Sequence, residues 1–144
     1  MIELEPLRRD QYEQVAAWNY KDISDVDWEA YTVLMERANL INYGVYSDGQ
    51  FCAYVGIERF RTIVRFHVAK AKNAIHPFAL ADLLVTMARY LFDHGATEVD
   101  AIAPPNYRPS RRLAIRSGMT YRETTPDGDR FSITKSEYYD KYGK

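Results

Sequence analysis

The chain has 144 residues, within the roughly 100–150 typical of one domain, and is 47% hydrophobic and 27% charged, as an ordinary globular protein is. Its net charge of −1 gives no long-range attraction to phosphate polymers or anionic lipid, and its single cysteine, Cys52, excludes an intrachain disulfide and a four-ligand cysteine site. No apolar run approaches the roughly 20 residues that span a bilayer, and residues 1–9 are too polar for a signal peptide, so the expectation is one cytoplasmic domain over 1–144 without a membrane partner.

In chain order, Ile2-Glu3-Leu4-Glu5 alternates as a strand does, and Pro6 ends it. From Asp10 onward Tyr12, Val15, Ala16 and Asn19 share one side of a helix. Ser24 stands as the cap of a second helix, in which Trp28, Tyr31, Leu34, Met35 and Ala38 follow at three-to-four spacing. Period two returns over 43–46 and 51–57. Between them Ser47-Asp48-Gly49-Gln50 tolerates the positive φ of a tight turn, which predicts a hairpin. A third antiparallel strand follows over 62–69.

The central helix puts Leu80, Leu83, Leu84, Met87, Ala88, Leu91 and Phe92 on one face. Pro77 suits its first turn and Gly95 its left-handed stop. A strand over 97–103 follows at once, and strand, helix, strand implies a right-handed crossover with a parallel pair. An arginine-rich helix over 108–117 stops at Gly118. A hairpin, 119–124 and 130–135 around Pro126-Asp127-Gly128-Asp129, and a tyrosine-rich turn over 136–142 complete the chain. The fold class is mixed α+β, in the order β-α-α-β-β-β-α-β-α-β-β.

That order, across nearly the whole chain, resembles the GNAT acetyltransferase superfamily. So does local wording. Phe92-Asp93-His94-Gly95-Ala96-Thr97, eleven residues on from Leu84 at its glycine, looks like the family's central helix running into its fifth strand. Arg116-Ser117-Gly118-Met119 is similar to the K-x-G-F that ends its last major helix, and Ile133-Thr134-Lys135 to its closing hairpin. The resemblance implies a central mixed sheet whose fourth and fifth strands run parallel and splay apart, with acetyl-CoA in the splay of the family's enzymes.

The same resemblance identifies what is missing. The family's loop before the central helix reads R/Q-x-x-G-x-G/A, and its glycines let backbone amides approach a pyrophosphate. Here Ile75 takes the Arg/Gln position, His76 and Phe78 take the glycine positions, and Pro77 between them has no N–H. Lys70, Lys72 and Asn73 lie just upstream, where a shifted loop would bring them to a phosphate; His76 or Asn73 is otherwise a helix cap. If acetyl-CoA binds, the resemblance implies contacts from Val68, Ala69, Lys70, Lys72, Asn73, His76 and Asn106, the last resembling the family's helix-entry asparagine. The family's tyrosine acid falls at Ala114, so Tyr107 or Tyr121 is the substitute candidate. His67, on the strand lining the cleft, is the candidate base, with a pKa range suited to deprotonating an amine; Glu58 is a second, otherwise an exposed carboxylate at a strand end.

Arg108, Arg112 and Arg116 recur four apart, with Arg111 adjacent, and arginine at all four positions suits planar contacts with an anionic partner. Their alternative role is a solvated face with salt bridges to Glu123 or Asp127. Tyr138, Tyr139 and Tyr142 offer amphipathic area of the kind found at protein interfaces. The degenerate loop favours a GNAT-fold protein without cofactor, serving as a structural or interaction subunit in an oligomer or larger assembly. It is similar in this to GNAT-like particle and assembly proteins of tailed bacteriophages, which would place it in the virion. The alternative is an acetyl-CoA-dependent N-acetyltransferase with a non-standard phosphate loop. A nucleic-acid-binding module using the arginine stripe is the third reading, disfavoured by net charge.

Overall fold

The computed structural model describes residues 1–20 and 22–144. Its seven strands form one sheet in the order β1-β2-β3-β4-β5-β7-β6. Residues gather in two units, Met1–Glu58 with His67–Ile75, and Arg59–Phe66 with His76–Lys144.

The first unit holds β1 (Ile2–Pro6), a 3-10 turn (Arg9–Gln11), α1 (Tyr12–Asn19), α2 (Trp28–Met35), β2 (Leu40–Ser47) and most of β3 (Gln50–Phe60). β1 ends at Pro6 as expected, and Pro6 still pairs with Tyr43, since an edge strand tolerates a residue that donates nothing outward. The cap of α2 is Asp27, whose Oδ1 accepts from the Ala30 amide at 3.1 Å; Ser24, the expected cap, lies in the turn before it. The β2–β3 hairpin forms as its Asp-Gly predicts, with Asp48 at φ 50° and Gly49 at φ 82°. Tyr12, Val15 and Ala16 of α1 pack with Tyr31 and Met35 of α2 against Tyr54 and Ala69. The Tyr31 hydroxyl is buried there with no hydrogen-bond partner among the described residues, and burial pushes its pKa up to about 12. Cys52, in β3, is 1% exposed, and burial raises its thiol pKa.

In the second unit β4 (Ile63–Lys70) starts parallel to β5 (Glu98–Ala103) through three pairs, ending at Arg65↔Asp100. β5 pairs antiparallel with β7 (Gly128–Thr134), and β7 with β6 (Thr120–Thr125). Asp100 is 1% exposed between two arginines, Arg130 Nε donating to it at 2.8 Å and also reaching Glu98 at 2.6 Å through its other nitrogen.

α3 (Pro77–Asp93) buries Leu80, Leu84, Ala88, Leu91 and Phe92, the face its periodicity marks, and ends before Gly95 at φ 104°. α4 (Arg108–Arg116) follows β5. The expected terminal turn is instead a helix, α5 (Lys135–Tyr142), opened by a capping box between Thr134 and Glu137. No helix among the described residues is long and apolar enough to cross a membrane.

Candidate functional site

β3 and β4 bring His67 and Glu58 together. His67 Nε2 stands 2.8 Å from Glu58 Oε1, while Arg37 Nε donates to Glu58 Oε2 at 2.7 Å and Asn39 Nδ2 reaches the same oxygen at 3.4 Å. Arg37 is itself held by the Leu34 carbonyl at the end of α2. Glu58 is only 7% exposed, so it is not the solvated strand-end carboxylate that its sequence position suggests. The Arg37 guanidinium, with help from His67, outweighs burial and pushes its pKa down to about 2.

A carboxylate ionised so far below neutrality accepts, so His67 must carry its ring proton on Nε2. The lone pair of the neutral ring is then on Nδ1, and an imidazolium formed there is stabilised by the buried negative charge. The His67 side chain is 37% exposed. The arrangement joins a partly exposed imidazole, a carboxylate that fixes its tautomer, and a cation that fixes the carboxylate.

The segment before α3 is built differently from a phosphate cradle. Pro77 has no amide hydrogen, the Phe78 amide donates to His76 Nδ1 at 3.2 Å, and the Leu80 amide bonds the His76 carbonyl at 3.1 Å. Of the first three helical amides, only that of Ala79 remains for a ligand. His76 is thus the cap, its ring stacked at 5.4 Å on Phe78, which is 57% exposed. Asn73 is no cap: it stands at φ 60° in the turn after β4. Val68, Ala69 and Lys70 lie on β4, with Ala69 turned into the core of its unit. Lys72 is exposed in the same turn as Asn73, and neither Lys70 nor Lys72 pairs with a carboxylate among the described residues.

Asn106 sits at φ 60° in the turn entering α4. Tyr107 is the exposed residue at the start of α4, and Tyr121 is exposed on β6 with its hydroxyl 2.7 Å from Thr124 Oγ1. Of the arginines, Arg111 pairs with Asp129, not with Glu123 or Asp127, and lies over the Phe131 ring at 5.3 Å. Arg108 and Arg112 are exposed, and Arg116 lies 4.8 Å over the Phe78 ring. In the tyrosine tail, Tyr138 differs from the partner-facing residue expected of it. Tyr138 is 1% exposed, 5.2 Å from Phe92, and donates to the Val85 carbonyl at 2.7 Å. Tyr139 donates to Asp93 at 2.6 Å, and Tyr142 rings against Tyr138 at 4.9 Å.

No protein-family model and no curated protein matches the chain. Solved structures do. An aminoglycoside acetyltransferase, AAC(6')-Ib, in complex with coenzyme A and kanamycin is similar over 100% of both chains at 12% identity and a TM-score of 0.76. A domain from Methanocaldococcus jannaschii covers 93% of this chain and 98% of its own at 12% identity and 0.77. A mutant of the spermidine N-acetyltransferase SpeG from Vibrio cholerae covers 97% of each at 12% and 0.72. The fold is that of the GNAT acetyltransferases.

Proposed function

We propose that this protein is an acetyl-CoA-dependent N-acetyltransferase with a non-standard phosphate loop, in which His67 is the base. The observation that carries it is the His67–Glu58–Arg37 chain, an arrangement with a chemical purpose on a fold whose similar structures include amine acetyltransferases. Those neighbours move the reading from the cofactor-free subunit favoured by sequence toward the enzyme. A bound thioester would supply the acyl group. The main chain at α3 does not fit a diphosphate as glycine loops do, so Lys70 and Lys72 are the groups left to hold it. An amine is mostly protonated near neutral pH and must lose a proton to become nucleophilic. The His67 ring takes that proton, and Glu58 holds the resulting imidazolium.

The experiment is calorimetry with coenzyme A, followed by release of its thiol from acetyl-CoA in the presence of polyamines and aminoglycosides. Binding is expected, as is turnover that falls by about 100-fold or more in His67→Ala. No heat of binding up to millimolar coenzyme overturns the proposal. A second reading, the interaction subunit without coenzyme, is favoured by one feature: His76 already occupies the Phe78 amide. It predicts that null result.

A further inference from the structure

We propose that the arginine face of α4 docks the acidic segment between α1 and α2 of a second copy of this chain. Arg108, Arg112 and Arg116 stand four apart, so they rise at intervals of about 6 Å over about 12 Å of helix. All three are exposed, and none forms an ion pair with a carboxylate among the described residues. Arg111, beside them, is neutralised by Asp129. From Ala101 to Arg122 the sequence has five arginines and no acid. Solvated guanidinium groups are tolerable singly, but three in a row on one helix repel one another and favour an anionic neighbour.

The complement is in the same sequence. Asp22, Asp25, Asp27 and Glu29 put four carboxylates into eight residues. All are exposed, and none forms an ion pair among the described residues. Asp22 and Asp27 do no more than accept local backbone amides, from Ser24 and Ala30. Each patch also carries exposed apolar area, Phe78 and Ile115 by the arginines and Trp28 among the acids. Arginine and tryptophan are the residues that most often dominate interface energy, and a planar guanidinium stacks on an indole as Arg116 does on Phe78. A second copy explains both patches at once, whereas a nucleic acid would leave the acids unexplained and would meet a chain of net charge −1. Each copy presents one patch of each sign, so the contact joins unlike patches of two copies.

Sedimentation tests this at about 0.05 M and about 0.5 M salt, which span weak and strong screening. The parent protein is expected to gain mass with concentration at low salt and to return to monomer at high salt. Arg108→Glu with Arg112→Glu, and separately Asp25→Lys with Glu29→Lys, place like charges opposite one another, so each variant alone is expected to be monomeric. An equimolar mixture restores opposite charges at both kinds of contact and is expected to associate. Among the described residues these four side chains make no hydrogen bond or ion pair that the reversals would break. Should either reversal melt unlike the parent, the neutral pairs R108Q/R112Q and D25N/E29N take its place and must weaken association likewise. A parent that stays monomeric at low salt and sub-millimolar concentration overturns the proposal. So does a folded variant that associates as the parent does, or a mixture of folded variants that stays monomeric.

Discussion

Arg65 grips Asp100 with two nitrogens, at 2.9 and 3.2 Å, and the two residues are the last pair of the parallel ladder between β4 and β5. The ion pair therefore clasps the two strands at the last pair of that ladder. Arg130 closes on the same carboxylate from β7. Asp100→Asn leaves two guanidinium groups facing a neutral amide, and the loss is expected to be about 3 kcal/mol, in the range for breaking a buried pair. Urea unfolding measures it; a loss under about 0.5 kcal/mol would mean the clasp is only decorative.

Acid should act through Glu58. Its folded pKa, about 2, lies below the ordinary 4.5, so its contribution is fully present above that ordinary value and drains away as pH falls from there through about 2. Glu58→Gln is expected to flatten this acid limb and to cost on the order of 2–3 kcal/mol at neutral pH. Melting curves from pH 7 down to about 2 make the comparison. An unchanged acid limb in the variant would assign it to other carboxylates.

Tyr31→Phe should not destabilise. The hydroxyl is buried with no partner among the described residues, so removing it leaves none of them unpaired and relieves a desolvation cost of about 1 kcal/mol. The melting temperature is expected to hold or rise. A fall of several degrees would reveal a bound water or another partner at that hydroxyl.

The closed entrance to α3 can be reopened. His76→Gly with Pro77→Ser and Phe78→Gly removes the imidazole cap, supplies the missing amide and frees the Phe78 amide. Coenzyme A affinity measured by calorimetry is expected to rise about tenfold or more, at a cost of about 1 kcal/mol in helix stability. Unchanged affinity would show that main-chain amides at this helix are not where the diphosphate is held.

The sequence is legible wherever a local rule acts alone. Asp48-Gly49, and Pro77 with Gly95, mark their turn and helix ends because each position needs a particular φ or a missing donor. Thr134 with Glu137 spells a capping box in plain view, yet the adjacent tyrosines suggest an interface and hide the helix. Arg37 is harder. Counting outward from the Ser47↔Gln50 turn puts Glu58 opposite Asn39, but the bulge at Val45/Tyr46 moves its partner to Leu40. Only with that register in hand does Arg37, two residues past α2, fall within reach of Glu58. The departure of the phosphate loop is visible in residue types alone, whereas the capture of the Phe78 amide by His76 depends on a ring orientation that no spacing encodes.

Cys52 has a practical consequence. It is the chain's single thiol and is almost wholly enclosed in β3. A disulfide reagent added to the native protein meets no side chain to react with until the strand opens. Its colour in a turnover assay therefore reports liberated coenzyme without background, and its slow reaction in the absence of substrate clocks the opening of the sheet with no engineered label.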